Sequence, residues 1–222
     1  MAGESDRIVF VAVIHTDVES VEEARRVVRE TKPDVVAVEL DRDRYHQLMN
    51  PPEGGEALTL GAGDMAQDLM QQLAMLEKSL GNITGSDVGD EMLAAIEEGR
   101  AIGAKIALVD RPMTATVQAM MQVPVDEMYR LTSMLPDATK DIENGGASDL
   151  LATLKEDGAV DDLMKQFRTE FPSLANVLIE QRDHYVAKAL HHILNDIEGK
   201  IVAVLGAGHI QGVKTALELM LH

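Results

Sequence analysis

Cysteine is absent from this chain, and so is tryptophan. Without thiols there is no disulfide, zinc–thiolate site or cysteine nucleophile, so any bound metal must be held by His, Asp and Glu. Only three Tyr and three Phe occur, which leaves an aliphatic core with 13 Met to fill its gaps. Cations are scarce as well: 20 Lys and Arg face 38 Asp and Glu, for a formal charge of −18, and no Lys/Arg-rich run appears. Nucleic acids and anionic membranes are held by clustered positive charge, so nucleic acid is excluded as a partner. The acidity fits an ordinary acidic surface or a salt-rich cytoplasm equally well. No apolar stretch reaches the roughly 20 residues of a membrane helix, and the opening Met1-Ala-Gly-Glu-Ser-Asp-Arg lacks the apolar run of a signal peptide. A soluble, cytoplasmic protein is the expectation.

Hydrophobic residues make up 45% of the 222, enough for a sizeable core in a single domain. Four short runs, Arg7–Ile14, Val35–Glu39, Lys105–Val109 and Lys200–Leu205, are rich in Val, Ile and Ala without alternation. That is the pattern of parallel strands covered on both faces. Ser20-Val-Glu-Glu23 reads as a capping box opening a helix with Val21, Ala24 and Val28 as its stripe, ended by Lys32-Pro33-Asp34. Residues 7–39 thus form a βαβ unit. Residues 51–63 read as a loop, Asp64–Leu80 and Gly89–Gly103 as helices. Beyond Pro112 come helical patterns at about 114–134, 147–168 and 173–196, with breaks near Pro136 and Gly145-Gly146. The fold class is α/β: a mainly parallel central sheet flanked by helices, with a helical insertion or cap at about 114–196 before the last core strand. Residues 1–222 read as a single domain.

Each strand delivers an ionisable residue at or just past its carboxyl end: His15, Glu39, Asp110-Arg111 and His209. In an open parallel sheet that edge is where ligands bind. Plainer roles stand beside this one. His15 could be a backbone-bonded structural histidine, Glu39 a partner of Arg42 or Arg44, and Asp110-Arg111 a turn cap. Gly206-Ala-Gly-His209 is a glycine turn opening a helix, a place for a phosphate. It is not a dinucleotide fingerprint, because Gln211 stands where the third glycine is required, and it has no lysine of a phosphate-binding loop. Arg182 falls on the stripe Leu174, Leu178, Arg182, Tyr185, Ala189, Ile193, so it faces the buried side, where it needs carboxylates such as Glu39 and Asp110. The alternative is an arginine snorkelling at the stripe's edge. His184, His191 and His192 lie off the stripe or near the helix end and are expected to take no part, and the methionines carry no chemistry.

Taken in order, these segments resemble the TraB/PrgY family of pheromone-shutdown domains, itself similar to Tiki metallopeptidases and erythromycin esterases. The family's opening G-x-x-H and following helix correspond to Ala12-Val-Ile-His15 and Ser20-Val-Glu-Glu23, and its K-P-D-x-V-x-V-E-L segment to Lys32 through Leu40, with Arg44 after it. Gly89-Asp-Glu91-Met92 with Ala95, Asp110-Arg111 with Thr116, Glu180-Gln-Arg182-Asp183-His-Tyr185, and Gly206 to His209 match the remaining motifs. Ala12 departs from the family's first glycine. Many relatives continue into hydrophobic C-terminal segments, whereas this chain ends at His222. It is therefore either naturally short or the cytosolic piece of a membrane-anchored protein, and a membrane is a partner only in the second case.

The resemblance implies a divalent-metal hydrolase acting on short peptides or a peptide signal. His15, Glu39 and His209 would hold Mn²⁺, Co²⁺ or Zn²⁺, with Glu91 as the reserve carboxylate and Arg182 or Arg111 stabilising an oxyanion. Two other classes remain open: a non-catalytic protein that sequesters a peptide in the same cleft, and a metal-independent esterase-like hydrolase with His15 as general base assisted by Glu91 or Glu39. A homo-oligomer is compatible with all three.

Overall fold

A computed structural model describes residues 4–15, 17–50, 65–84 and 86–221. The four apolar runs are strands, β1 (Ile8–Val13), β2 (Val35–Val38), β3 (Lys105–Leu108) and β4 (Ile201–Gly206). Between and after them run α1 (Val18–Thr31), α2 (Arg42–Met49), α3 (Met65–Thr84), α4 (Asp90–Ala101), α5 (Met113–Met120) and α6 (Val125–Asp141). The later helices are α7 (Ala147–Leu154), α8 (Ala159–Glu170), α9 (Pro172–Ala175), α10 (Gln181–Asp196) and α11 (Ala207–Leu221).

The strands form one all-parallel sheet in the order β1-β4-β2-β3. The last strand in the chain is thus central: Ile8 and Val35 both pair with Ile201, from opposite sides. Every β4 residue is buried. Ile201, Ala203 and Leu205 pack with Val186, Leu190 and Leu194 of α10 and Val213 and Leu217 of α11. Val202 and Val204 pack on the other face with Ala24 and Val28 of α1 and Met92, Ala95 and Ile96 of α4. Alternate side chains point to opposite faces and both faces are covered, so the strand has no polar side and the sequence shows no alternation. A separate apolar cluster, with Leu69, Met120, Leu131, Leu135, Phe171 and Leu174 among its members, joins α3, α5, α6 and α9. Among the described residues no helix is long and apolar enough to cross a membrane.

The helix boundaries differ from the sequence expectation in instructive ways. Helix α1 begins at Val18 with Asp17 in the cap position, three residues before Ser20, the expected cap. Ser20 is no cap: its hydroxyl accepts from the Ile14 amide at 3.0 Å and donates to Asp17 at 3.3 Å, bracing the loop that carries His15. The expected helix at 114–134 is two helices, because Pro124 stands at the start of α6. Helix α6 then continues through Pro136 to Asp141, and the break falls at Gly145, whose φ of 110° suits glycine. Gly158, at φ 82°, likewise divides the expected helix at 147–168 into α7 and α8. Helix α2 is not evident in the sequence because none of its residues is fully buried and only Tyr45 and Leu48 pack against the core, too short a stripe to stand out; its cap is Asp41, which accepts from the Arg44 amide at 2.8 Å. The expected loop at 51–63 lies outside the described residues.

The segment from Pro172 to Asp196 is helical throughout, but with a π-helical turn at Asn176–Glu180. A π-turn inserts one residue into the helical repeat and so rotates everything after it. The buried face therefore passes from Leu174 through Ile179 to Asp183, Val186, Leu190 and Leu194. Tyr185, assigned to the buried stripe by a uniform period, is 43% exposed.

Candidate functional site

Because β4 lies between β1 and β2, the residues that follow these three strands meet at one edge of the sheet. Gly206 sits at the middle of that meeting point. A β-carbon placed on it would lie 3.1 Å from His15 Nε2, 3.4 Å from Glu39 Oε2 and 3.5 Å from His209 Cδ2. His15, Glu39 and His209 therefore border one small space, which the absence of a side chain at residue 206 keeps open.

Each imidazole has a buried carboxylate behind it. His15 Nδ1 is 2.5 Å from Glu91 Oε1, and the Glu91 side chain is 1% exposed. Glu91 lies in the first turn of α4, where the helix dipole favours a negative charge. His209, in the first turn of α11, has Nδ1 2.6 Å from Asp183 Oδ1. Its Nε2 lies 3.4 Å from Glu39 Oε1 and 3.3 Å from Arg182 Nη1.

Glu39 is held on both oxygens. Oε2 accepts from the Gly206 amide at 2.8 Å, and Oε1 accepts from Arg182 Nη2 at 2.6 Å. Arg182 also donates to both oxygens of Asp110, from Nε at 3.1 Å and from Nη2 at 2.7 Å. Its side chain is only 22% exposed, so this is a largely desolvated charge network rather than a surface ion pair. The partner of Glu39 is thus Arg182, and the ion pair of Arg44 is with Glu77.

The electrostatics follow from these contacts. Burial disfavours the charge on Glu39, but His209, Arg182, His15 and the Gly206 amide outweigh it and hold its pKa well below the ordinary carboxylate range. Burial would push the two histidines down, yet both are raised. His15 is raised by the hydrogen bond and charge of Glu91, with Glu39 and Glu77 adding to it, and His209 by Glu39 and Asp183 against the opposing charge of Arg182. Carboxylate and imidazolium each favour the other's charged form.

Arg111 is near this network but its donors are committed elsewhere. Nε and Nη2 reach Thr116 Oγ1, Nη1 reaches Gln181 Oε1 at 2.6 Å, and Nη2 also reaches the Val177 carbonyl at 3.0 Å. It ties the end of β3 to α5 and to the π-turn, and burial together with Arg182 lowers its pKa. His184 and His192 are exposed, and His191 is half-buried against Asn195. Asp183 appears in the sequence only as a position of the Glu180–Tyr185 motif, with no role attached. It is 3% exposed and directly bonded to His209, but a uniform 3.6-residue period put it beside the buried stripe instead of on it. The end of α7 is tied to the site's rim: Lys155 pairs with Asp17 at 3.1 Å and Glu19 at 2.8 Å, next to the His15 loop.

Comparison with known proteins finds relatives along nearly the whole chain. A protein of Methanocaldococcus jannaschii, "Uncharacterized protein MJ1365", is 28% identical over 211 residues, covering 93% of this chain and 52% of its own length. The "TraB domain-containing protein" of Homo sapiens is 25% identical over 248 residues, covering 96% of this chain and 63% of its own, and that of Bos taurus is equally similar. The chain thus spans between about half and just under two thirds of these relatives. The family model for the TraB/PrgY/gumN family matches residues 2–221, and the chain belongs to that family.

Proposed function

We propose that the site is hydrolytic and acts on short peptides or a peptide signal, with His15, Glu39 and His209 holding a divalent ion such as Mn²⁺, Co²⁺ or Zn²⁺. The observation that supports this most is the pair of histidine–carboxylate dyads, His15–Glu91 and His209–Asp183, opening on one space with Glu39 between them. A carboxylate on Nδ1 fixes the ring and leaves Nε2 as the electron-pair donor, which is how metal-ligating histidines are usually oriented. Two imidazoles and a carboxylate suit a borderline divalent ion, so the donor chemistry fits. Bound there, the ion would acidify a water and polarise a carbonyl. The chain's own residues do the rest. Glu91 and Asp183 keep the Nδ1 protons, Gly206 leaves room for the scissile group, and Arg182 places positive charge beside any oxyanion that forms.

A second reading, hydrolysis without a metal, has an observation of its own. Arg182 already bonds Glu39 Oε1 and stands 3.3 Å from His209 Nε2, so a permanent cation occupies the flank of the ligand set. Among the described residues no group of three or more His, Asp or Glu is arranged to hold an ion as it stands. In this reading His15 Nε2 takes the proton of the attacking water while Glu91 stabilises the imidazolium, the division of labour of a general base and its orienting carboxylate.

One set of measurements separates these readings. Chelator-stripped protein is titrated calorimetrically with Mn²⁺, Co²⁺ and Zn²⁺ beside a His15→Ala/His209→Ala variant, and both are incubated with short synthetic peptides read by mass spectrometry. Saturable binding confined to the unmodified protein, with cleavage that depends on the added ion, supports the metal hydrolase. Cleavage indifferent to chelation moves the assignment to the metal-free mechanism. Equal heats from both proteins and no cleavage defeat hydrolysis and leave peptide binding.

A further inference from the structure

We propose that Asp183 is a positioning residue that fixes the tautomer of His209, and that residue 212 is glycine because the Asp183 carboxylate occupies the volume its side chain would take. Helices α10 and α11 lie side by side on the sheet, and Asp183 projects from the first across to the second. A β-carbon on Gly212 would fall 1.8 Å from Asp183 Oδ2 and 2.7 Å from its Cγ. No such contact is tolerable, so the carboxylate and a side chain at 212 exclude one another.

Backbone conformation is not the reason for this glycine. Gly212 lies in the interior of α11 and is not among the residues with positive φ. In a helix interior glycine is an unfavourable choice, so its presence calls for a packing cause. His209 and Gly212 are three residues apart and share a face of α11. The Asp183 carboxylate is wedged between that imidazole and the bare backbone, 3% exposed, with Oδ1 2.6 Å from His209 Nδ1. An ionised carboxylate only accepts hydrogen bonds. The Nδ1 atom must therefore carry a proton, and in the neutral ring it is Nε2, 3.4 Å from Glu39 Oε1 and 3.3 Å from Arg182 Nη1, that is left with the electron pair. The glycines of the turn, which a sequence pattern could assign to a phosphate, have other uses here. Gly206 opens the site, Gly208 would place its β-carbon 3.0 Å from Met164 Sδ of α8, and Gly212 admits Asp183.

The inference rests on His209 being a working group of the proposed site, but its test reads neither hydrolysis nor metal binding and fails separately from them. The measurement is long-range nitrogen–proton NMR of the histidine rings in the metal-free 222-residue protein, well above the titration of both imidazoles. In the unmodified protein His209 is expected as a single Nδ1–H tautomer. Gly212→Ala displaces the carboxylate and should give a mixture of tautomers at His209 with His15 unchanged. Asp183→Asn preserves shape and decides the matter if Gly212→Ala does not fold, since an Asn in an Asp–His pair imposes the opposite tautomer; His209 should then carry its proton on Nε2. Gly208→Ala meets Met164 instead of Asp183 and should leave the His209 tautomer in place. The proposal is overturned if the unmodified protein shows Nε2–H at His209. It is equally overturned if Asp183→Asn leaves the tautomer as it was, or if Gly208→Ala disturbs it as much as Gly212→Ala does.

Discussion

Replacing Arg182 with Ala tests whether the charge network at the sheet edge is a buried one. Removal of the guanidinium leaves Glu39, whose side chain is 4% exposed, with one fewer donor, and Asp110, 11% exposed, with only the Arg111 amide among the described residues. Breaking one partner out of a buried pair costs about 3–5 kcal/mol, because the remaining charge is stranded in a poor solvent. Arg182 keeps about a fifth of its side chain in water, which argues for the lower end, roughly 3 kcal/mol. For a chain of this size that corresponds to a fall in Tm of about 6–12 °C, at roughly 2–4 °C per kcal/mol. The assay is urea unfolding followed by circular dichroism. The midpoint should drop with the slope m unchanged, as expected when stability changes and the unfolded state does not. Arg26→Ala is the control: Arg26 also makes two ion pairs, with Glu23 and Glu30, but on the open surface of α1, and its loss should leave the midpoint near that of the unmodified protein. A double variant, Arg182→Ala with Glu39→Gln, should recover part of the loss, since the stranded charge is removed with its partner. The reasoning is refuted if Arg182→Ala unfolds within about 0.5 kcal/mol of the unmodified protein, the range of ordinary surface changes.

Acid should act on the same network with a definite sign. The folded pKa of Glu39 is lowered, so its contribution is fully present above the unfolded value of about 4.3 and is lost as pH falls through the folded one. The stability gap between the unmodified protein and Arg182→Ala should accordingly narrow below about pH 4 in urea titrations. His15 and His209 have raised pKa values, so in metal-free protein their contribution is full below about 6.5 and is lost as pH rises through the folded values; a His15→Ala/His209→Ala variant should show a flatter profile in that range. Gly206→Ala should shift the ring NMR signals of both His15 and His209 while far-UV circular dichroism stays unchanged, because its β-carbon would touch both imidazoles and Glu39. Gly99→Ala, on α4, should destabilise by about 1–3 kcal/mol through overpacking, since its β-carbon would sit 2.8 Å from Val36 Cγ2 and 3.0 Å from Ile106 Cδ1; chemical unfolding that shows no loss would mean this layer is looser than drawn.

What the sequence made legible follows the strength of the physical constraint. Strands buried on both faces must be apolar at every position, so β2 and β4 announce themselves as Val35–Val38 and Ile201–Gly206. Parallel pairing then forces their carboxyl ends to one edge, which puts His15, Glu39 and His209 on the same side of the sheet; that they meet there depends on β4 lying between β1 and β2. That order itself was not legible. Nothing local in Ile201–Gly206 says that the last strand inserts between the first two, because both sides of any buried strand look alike. Helix α2 is hidden for the complementary reason: with no fully buried residue and only Tyr45 and Leu48 against the core, it carries a weak periodic constraint.

The π-turn at Asn176–Glu180 shows how one unread local feature propagates into the chemistry. A constant period carried the stripe from Leu178 to Tyr185 and Ile193, and selected Arg182 as its polar member. The inserted residue turns Asp183 inward instead, and leaves Arg182 at the border between helix layer and sheet edge, where it reaches Glu39 and Asp110 together. Two adjacent residues on α10 can therefore serve two different partners, Arg182 the carboxylates of β2 and β3 and Asp183 the imidazole of α11. A regular helix would place neighbours about 100° apart and fix both directions relative to the helix below them. The π-turn resets that phase just before the site, so the helix can pack as Leu174 and Phe171 require at one end and as Val186 and Leu190 require at the other. Handing a charge to each side of the sheet edge, Arg182 to Asp110 and Asp183 to His209, is the consequence of that shift.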